Sequence, residues 1–270
     1  MSAENKRAIF ISGGASGIGR AIACHFAERG WFVGIGDVNH EGMEDTLGLM
    51  PVGFTYMQRL DVRDRADWNA ALAGFALAAG SRIDVVVNNA GIGTGGLLAE
   101  LEPDEIERCL DINLKGVLFG AQAAYPHLQK TAPGSALINI ASAAGLAGSP
   151  GASVYCATKF GVRGVSESLD AEWAGDGIKV ASICPGFIET PLLEGTGSRR
   201  SNETIRSRVA AAGLEITPVS EVAEAVWQAV HDEKLDYLVG ATARRLAFGK
   251  RWMPGRLRKQ LRGGTGVLGR

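Results

Sequence analysis

The sequence predicts an α/β fold: a doubly wound parallel sheet of about seven strands, with helices on both faces. Three observations predict it. Short apolar runs of strand length alternate with longer helical stretches along the whole chain. The first run passes directly into a glycine-rich turn that opens a helix. The residues able to do chemistry recur at the ends of the apolar runs, where ligands sit in open sheets of this kind.

Strands are expected at about 7–12, 31–36, 53–60, 83–88, 135–141, 178–184 and 235–239. Helices fall between them, the longest at about 103–130 and 153–174. The first strand, Ala8-Ile-Phe-Ile11, feeds the turn Ser12-Gly13-Gly14-Ala15-Ser16-Gly17-Ile18-Gly19. Glycines let a backbone turn tightly and approach a pyrophosphate, and the helix N-terminus supplies free N–H groups and a positive dipole end. The spacing is GxxxGxG.

The second run closes on Asp37, eighteen residues after Gly19. An acid at about that distance can accept hydrogen bonds from adenosine ribose hydroxyls. It also repels a 2′-phosphate: two like charges ~4 Å apart cost about 4 kcal/mol at an effective dielectric of 20. No Lys or Arg lies within the glycine turn, and Val38 follows Asp37. The expected cofactor is therefore NAD rather than NADP. Asp37 can cap the next turn as well.

Tyr155 and Lys159 stand four residues apart in Ser153-Val-Tyr-Cys-Ala-Thr-Lys159, so a helix puts them on one face. A fixed ammonium beside a phenol favours the phenolate. A free tyrosine titrates near ~10, and each unit of downward shift needs about 1.4 kcal/mol. A shift of two or three units would give a general acid/base usable near neutral pH. The spacing alone also occurs on ordinary solvated helix faces, so its weight comes from the rest of the pattern.

Over residues 6–240 these features resemble the short-chain dehydrogenase/reductase family in its single-domain form. The turn at Ser12, Gly13, Ser16, Gly17, Ile18 and Gly19 is similar to the family's TGxxxGxG loop, with Ser in place of Thr. Asp61-Val62 ends the third expected strand, where the family contacts adenine. Asn88-Asn89-Ala90-Gly91 matches an NNAG motif at the end of the fourth. Asn113, Ser142, Tyr155 and Lys159 match the family's catalytic tetrad, and Pro185-Gly186-Phe187-Ile188-Glu189-Thr190-Pro191 its PGxxxTP stretch beside the nicotinamide. The order and spacing of the whole set make the resemblance specific.

The resemblance implies a Rossmann-type sheet and a nicotinamide cofactor. It implies that Tyr155 exchanges a proton with the substrate oxygen while a hydride passes to or from the ring. Lys159 would depress the Tyr155 pKa and bond the nicotinamide ribose. Ser142 would hold the substrate oxygen, and Asn113 would anchor a water linked to the lysine. Pro185 and Gly186 would line the ring, with Ile188 and Thr190 holding its carboxamide.

The segment from Glu189 to about Ile216 breaks the strand–helix rhythm and corresponds to the family's substrate lid. Phe187, Leu192 and Leu193 on one side, and Thr94, Ala143 and Ala144 on the other, are the expected substrate contacts. Their character implies an apolar substrate. Arg199 and Arg200 in the lid are expected to be solvated.

Composition bounds the remaining readings. Residues 1–240 are expected to form one dehydrogenase domain and 241–270 a basic tail. The tail carries nine Lys or Arg and no acid, leaving 19 basic against 29 acidic residues elsewhere, a net of −10. A basic amphipathic segment can lie on an anionic membrane, but Pro254-Gly255 interrupts this one. Packing against its own body or a neighbouring subunit is the favoured expectation. No nucleic-acid partner is expected. The apolar runs are too short to span a membrane, the polar N-terminus leads to the expectation of no signal peptide, and Cys24, Cys109, Cys156 and Cys184 form no paired motif. A cytoplasmic protein with reduced thiols is expected. The four scattered histidines show no ligand spacing, so no metal is expected. The long helices at 103–130 and 153–174 build a dimer or tetramer interface in the family, which implies a homo-oligomer. The expected function is NAD-dependent interconversion of an apolar secondary alcohol and its ketone. The alternative is a non-catalytic NAD-binding or membrane-associated protein on the same scaffold.

Overall fold

A computed structural model describes residues 6–196 and 202–263. The extreme N-terminus, Arg199 and Arg200 therefore lie outside the described residues. The elements in chain order are β1 (Ala8–Ser12), α1 (Gly17–Glu28), β2 (Phe32–Asp37), α2 (His40–Gly48), β3 (Thr55–Arg59), α3 (Arg65–Ala78) and β4 (Val85–Asn88). There follow α4 (Pro103–Leu110), α5 (Gly116–Thr131), β5 (Ser135–Ile140), α6 (Ser153–Trp173), β6 (Ile178–Pro185), β7 (Phe187–Ile188) and α7 (Ile205–Ala211). The chain continues through β8 (Ile216–Thr217), α8 (Val219–His231), β9 (Asp236–Val239), α9 (Gly240–Trp252) and α10 (Pro254–Arg262).

Seven strands form one parallel sheet in the order β3-β2-β1-β4-β5-β6-β9. This is the doubly wound sheet the apolar runs predict, with helices on both faces. The order reverses between β1 and β4, which opens a crevice at the strand C-termini there. Short β7 and β8 pair in parallel as a separate ribbon.

The two core layers follow from side-chain alternation. Ile9, Ile11, Val33 and Ile35 face Ile22 and Phe26 of α1 and Val222 and Val226 of α8. Ala8, Phe10 and Phe32 face Trp68, Leu72 and Phe75 of α3. Strand β2 reads Val-Gly-Ile-Gly because the second face is already full. A Cβ on Gly34 would lie 2.5 Å from the Phe75 ring, and one on Gly36 2.8 Å from Leu60.

Two expectations are corrected. The single helix expected over 103–130 is broken by a π turn at Asp111–Lys115, where the Gly116 N–H donates to the Asp111 carbonyl. Such turns bulge a helix and redirect one side chain; here that side chain is Asn113. The third strand ends at Arg59, not at Asp61-Val62. Asp61 begins the following turn, its N–H donating to the Asp67 carboxylate at 3.0 Å.

Candidate active site

The glycine turn is built into the crevice between β1 and β4. The Ser12 hydroxyl donates to the Val87 carbonyl (3.3 Å) and accepts from the N–H groups of Asn89 (3.0 Å) and Ala90 (3.2 Å). The Asn89 amide returns to the carbonyls of Ser12 (2.9 Å) and Gly13 (3.1 Å). Two distant motifs are thereby stitched into one floor. A Cβ on Gly19 would lie 2.1 Å from the Gly13 carbonyl oxygen, so this approach requires glycine. Gly13 and Gly17 have φ of 70° and 52°, the left-handed region that favours glycine.

Ser16 precedes α1 without a side-chain cap, and the first turn of the helix carries no acid. Its N–H groups are thus left for an anion. Thr190 stands over the same place, its Cγ2 3.2 Å from where a Gly17 Cβ would be. The Thr190 hydroxyl donates to the Ile188 carbonyl at 3.2 Å. Pro185 ends β6, and the Gly186 N–H donates to the Val239 carbonyl at 2.9 Å.

At the end of β2 the Asp37 carboxylate accepts from the N–H groups of Ala15 (3.1 Å) and Asn39 (3.0 Å). The nearby Arg20 guanidinium donates to Thr46 Oγ1 and to the carbonyls of Ala15 and Gly42. Asp61 grips Arg63 through both carboxylate oxygens, and the hydrogen bond from Arg63 holds its carboxyl below the usual range. Val62 is buried and supplies the carbonyl that accepts from the Trp68 indole at 3.2 Å. An uncapped helix start, a floor that only glycines allow and a carboxylate at the second strand end fit a dinucleotide.

The four residues Asn113, Ser142, Tyr155 and Lys159 come from three places: the π turn, the segment just after β5, and α6. Asn113 is fully buried on the π turn and closes both backbone groups of Ile92, accepting from its N–H and donating to its carbonyl at 2.8 Å each. A Cβ on Gly91 would lie 3.2 Å from Asn113 Oδ1 and 3.6 Å from Lys159 Nζ, so Gly91 sits between the two side chains. Ser142 follows β5, and its hydroxyl accepts from the Ala144 N–H at 3.1 Å. It lies close enough to the Tyr155 phenol to favour its ionised form. Lys159 lies one helical turn after Tyr155, buried, with Nζ donating to the Ile140 carbonyl at 2.9 Å.

The sequence reading expects Lys159 to lower the Tyr155 pKa. In this structure burial dominates both groups. It pushes the Tyr155 phenol up to about 12, against the opposing pull of the nearby Ser142 hydroxyl, and pushes the Lys159 ammonium down to about 8. The charged form of each loses water in the same enclosed site. Lys159 Nζ is 5.7 Å from the Tyr155 ring centroid and directed at a backbone carbonyl.

The expected substrate contacts divide by burial. Ala143 and Leu193 are buried, whereas Thr94, Ala144, Phe187 and Leu192 keep accessible surface. Leu192 Cδ1 lies 3.2 Å from where a Gly93 Cβ would be, so the lid meets the loop after Gly91 across the crevice.

Several structural partners escaped the sequence reading. The carbonyls of Ile140 and Ile92 are backbone groups, invisible to motif matching. Arg206 of α7 clamps the lid by donating to Glu189 and Glu194. Its only sequence signal was the pair of acids around Pro191. Asn88 donates to Asn139 (2.8 Å), and Asn139 donates to Ser166 of α6 (3.0 Å), a buried polar chain tying β4 and β5 to the helix that carries Tyr155. Among the described residues no group of three or more His, Cys, Asp or Glu is placed to hold a metal.

Residues 7–201 match the family model described as short chain dehydrogenase. The chain is 36% identical over 203 residues to the 3-oxoacyl-(acyl-carrier-protein) reductase FabG of Thermotoga maritima, covering 74% of this chain and 80% of that one. It is 35% identical over 229 residues to the 2-(R)-hydroxypropyl-CoM dehydrogenase of Xanthobacter autotrophicus, covering 82% and 89%. Among solved structures it superposes on a 3-ketoacyl-(acyl-carrier-protein) reductase from Brucella melitensis complexed with NADH, with TM-score 0.77, 28% identity and coverage of 90% and 100%. An actinorhodin polyketide ketoreductase with NADPH superposes with TM-score 0.80, 27% identity and coverage of 90% and 99%. The chain belongs to the short-chain dehydrogenase/reductase family, whose members bind a nicotinamide cofactor, and is an oxidoreductase.

Proposed function

We propose that the protein interconverts an apolar secondary alcohol and its ketone, using NAD. The observation that carries this reading is the gathering of Tyr155 and Ser142 with a buried Lys159, its Nζ on the Ile140 carbonyl, and a buried Asn113, at the mouth of a dinucleotide-shaped crevice. Ser142, Ala90 and Gly91 would border the reacting centre. The α1 N-terminus with Gly13, Ser16, Gly17, Ile18 and Gly19 would hold the pyrophosphate, Asp37 the adenosine ribose, and Asp61 with Val62 the adenine. Pro185, Gly186, Ile188 and Thr190 would position the nicotinamide, and Lys159 its ribose.

A nicotinamide cofactor held there would supply the hydride chemistry and, when oxidised, a positive charge that favours the Tyr155 phenolate. Tyr155 takes the hydroxyl proton in oxidation and returns one to the carbonyl oxygen in reduction. Ser142 donates to that oxygen and stabilises charge as it develops. Asn113 keeps the Ile92 loop fixed beside Lys159. Leu192, Phe187, Ala144 and Thr94 supply the mostly apolar wall.

The Asp37 carboxylate, without a basic residue at Ala15 or Val38, supports NAD over NADP. Similarity to a relative named 2-(R)-hydroxypropyl-CoM dehydrogenase supports a secondary alcohol. Exposed Leu118 of α5 and Phe160 of α6, 41% and 40% accessible, support a homo-oligomer joined through those helices.

The test is NADH formation from NAD across secondary alcohols graded in size, with Tyr155→Phe as control. A preferred apolar alcohol, lost about 10²–10⁴-fold in the variant, is expected. Equal turnover by the variant, or a preference for charged substrates, overturns the reading.

A further inference from the structure

The C-terminal helices have two faces of different character. The inner face of α9 packs on the body. Ala243 is fully buried and Leu246 and Ala247 join it against Ala143, Leu146 and Cys184. The outer face carries Arg244, Phe248 and Trp252, four residues apart and therefore in one row. Phe248 is 56% exposed, Trp252 65% and Met253, at the bend into α10, 37%.

The charged side chains on α9 and α10 are of one sign, and only Arg244 among them borders a cleft that holds acids, Glu221, Glu224 and Asp236. Arg244, Arg245, Lys250, Arg251, Arg256, Arg258, Lys259 and Arg262 are all exposed. The Arg251 guanidinium lies 5.3 Å from the Trp252 ring centroid. The Arg256 Nη1 reaches Met253 Sδ at 3.9 Å. Beneath α10, a cleft of about 650 Å³ is floored by Cys156, Leu257 and Leu261, rimmed by Lys250, Arg258 and Arg262, and lined by no acid.

We propose that α9 and α10 dock the protein on an anionic lipid bilayer surface, with Phe248, Trp252 and Met253 entering the headgroup region and the flanking cations engaging lipid phosphates. Aromatic side chains between cations suit this interface, because the rings enter it while arginine and lysine stems keep their charges at the phosphates. Polybasic segments gain further from the negative surface potential. Residues 1–240 carry a net of −10 and are repelled by the same surface, so the molecule approaches tail first. A symmetric contact between two copies through this face would set like charges against each other. The docking does not depend on the proposed chemistry. It would suit that chemistry, because α9 packs on the turn that follows Ser142 and would hold the crevice near a reservoir of apolar compounds.

The test is co-sedimentation of the full chain with phosphatidylcholine vesicles, with and without phosphatidylserine. Binding is expected only with phosphatidylserine, weakened by salt. It should fall about tenfold or more in Phe248→Glu/Trp252→Glu and fall likewise in Arg251→Gln/Arg256→Gln. Retained NADH binding shows that each variant is folded. Equal sedimentation of variants and parent, equal binding to neutral vesicles, or no binding at all overturns the proposal. So does a self-association or RNA binding that the variants lose while lipid binding is absent.

Discussion

The Asn113 carboxamide holds both backbone groups of Ile92, at 2.8 Å each, across twenty-one residues of sequence. This closed pair exists because the π turn at Asp111–Lys115 swings Asn113 out of an ordinary helical position. Replacing Asn113 with Leu would strand two polar groups in a largely desolvated place. A loss of about 2 kcal/mol is expected, since each unsatisfied buried group costs about 1–3 kcal/mol. Urea unfolding of Asn113→Leu reads it; an unchanged midpoint would remove Asn113 from the scaffold of the site.

Asp37 should decide between cofactors. Its carboxylate is fixed by the N–H groups of Ala15 and Asn39, so it cannot swing away from a 2′-phosphate. In Asp37→Ala the ratio of kcat/KM for NAD over NADP should drop about tenfold to a hundredfold, part of the ~4 kcal/mol repulsion being screened at this half-exposed position. A ratio that does not move would place discrimination elsewhere.

Lys159 should be a source of instability at neutral pH. Its folded pKa is about 8, against 10.5 unperturbed, because it is buried. Folding then favours the neutral amine, so the penalty is full below about pH 8 and fades as pH rises to 10.5. The difference corresponds to about 3 kcal/mol. Lys159→Met is expected to be more stable than the parent at pH 7, with the gap closing by pH 10.5. A gap independent of pH would show that the lysine keeps its charge in the fold.

Two glycines should respond in opposite directions to the same change. Gly19→Ala forces a Cβ to 2.1 Å from the Gly13 carbonyl oxygen and 2.6 Å from the Asn89 amide, so NADH affinity should fall at least tenfold, or about 1.4 kcal/mol. Gly164, inside α6, has nothing within 4 Å of an added Cβ. Gly164→Ala should raise stability by about 0.5–1 kcal/mol and leave NADH binding unchanged. Isothermal titration and thermal unfolding separate the two effects.

The sequence by itself determined the parallel sheet, the glycine turn after β1, Asp37 at the end of β2 and the shared face of Tyr155 and Lys159. These depend on short-range periodicity and on spacing along single elements, which backbone geometry sets directly. Tertiary structure alone decided the rest. Asn113 needed a break in a helix whose sequence reads as continuous, and its partner Ile92 lies on another loop. The pKa values of Tyr155 and Lys159 moved opposite to the attraction their spacing suggests, because water is removed by residues distant in the chain. The tail became two faces only once Ala243 and Leu246 found the cluster around Ala143 and left Phe248 and Trp252 outside. Spacing determines which side chains travel together; only the packing of distant elements determines which of them lose water and which partners they meet.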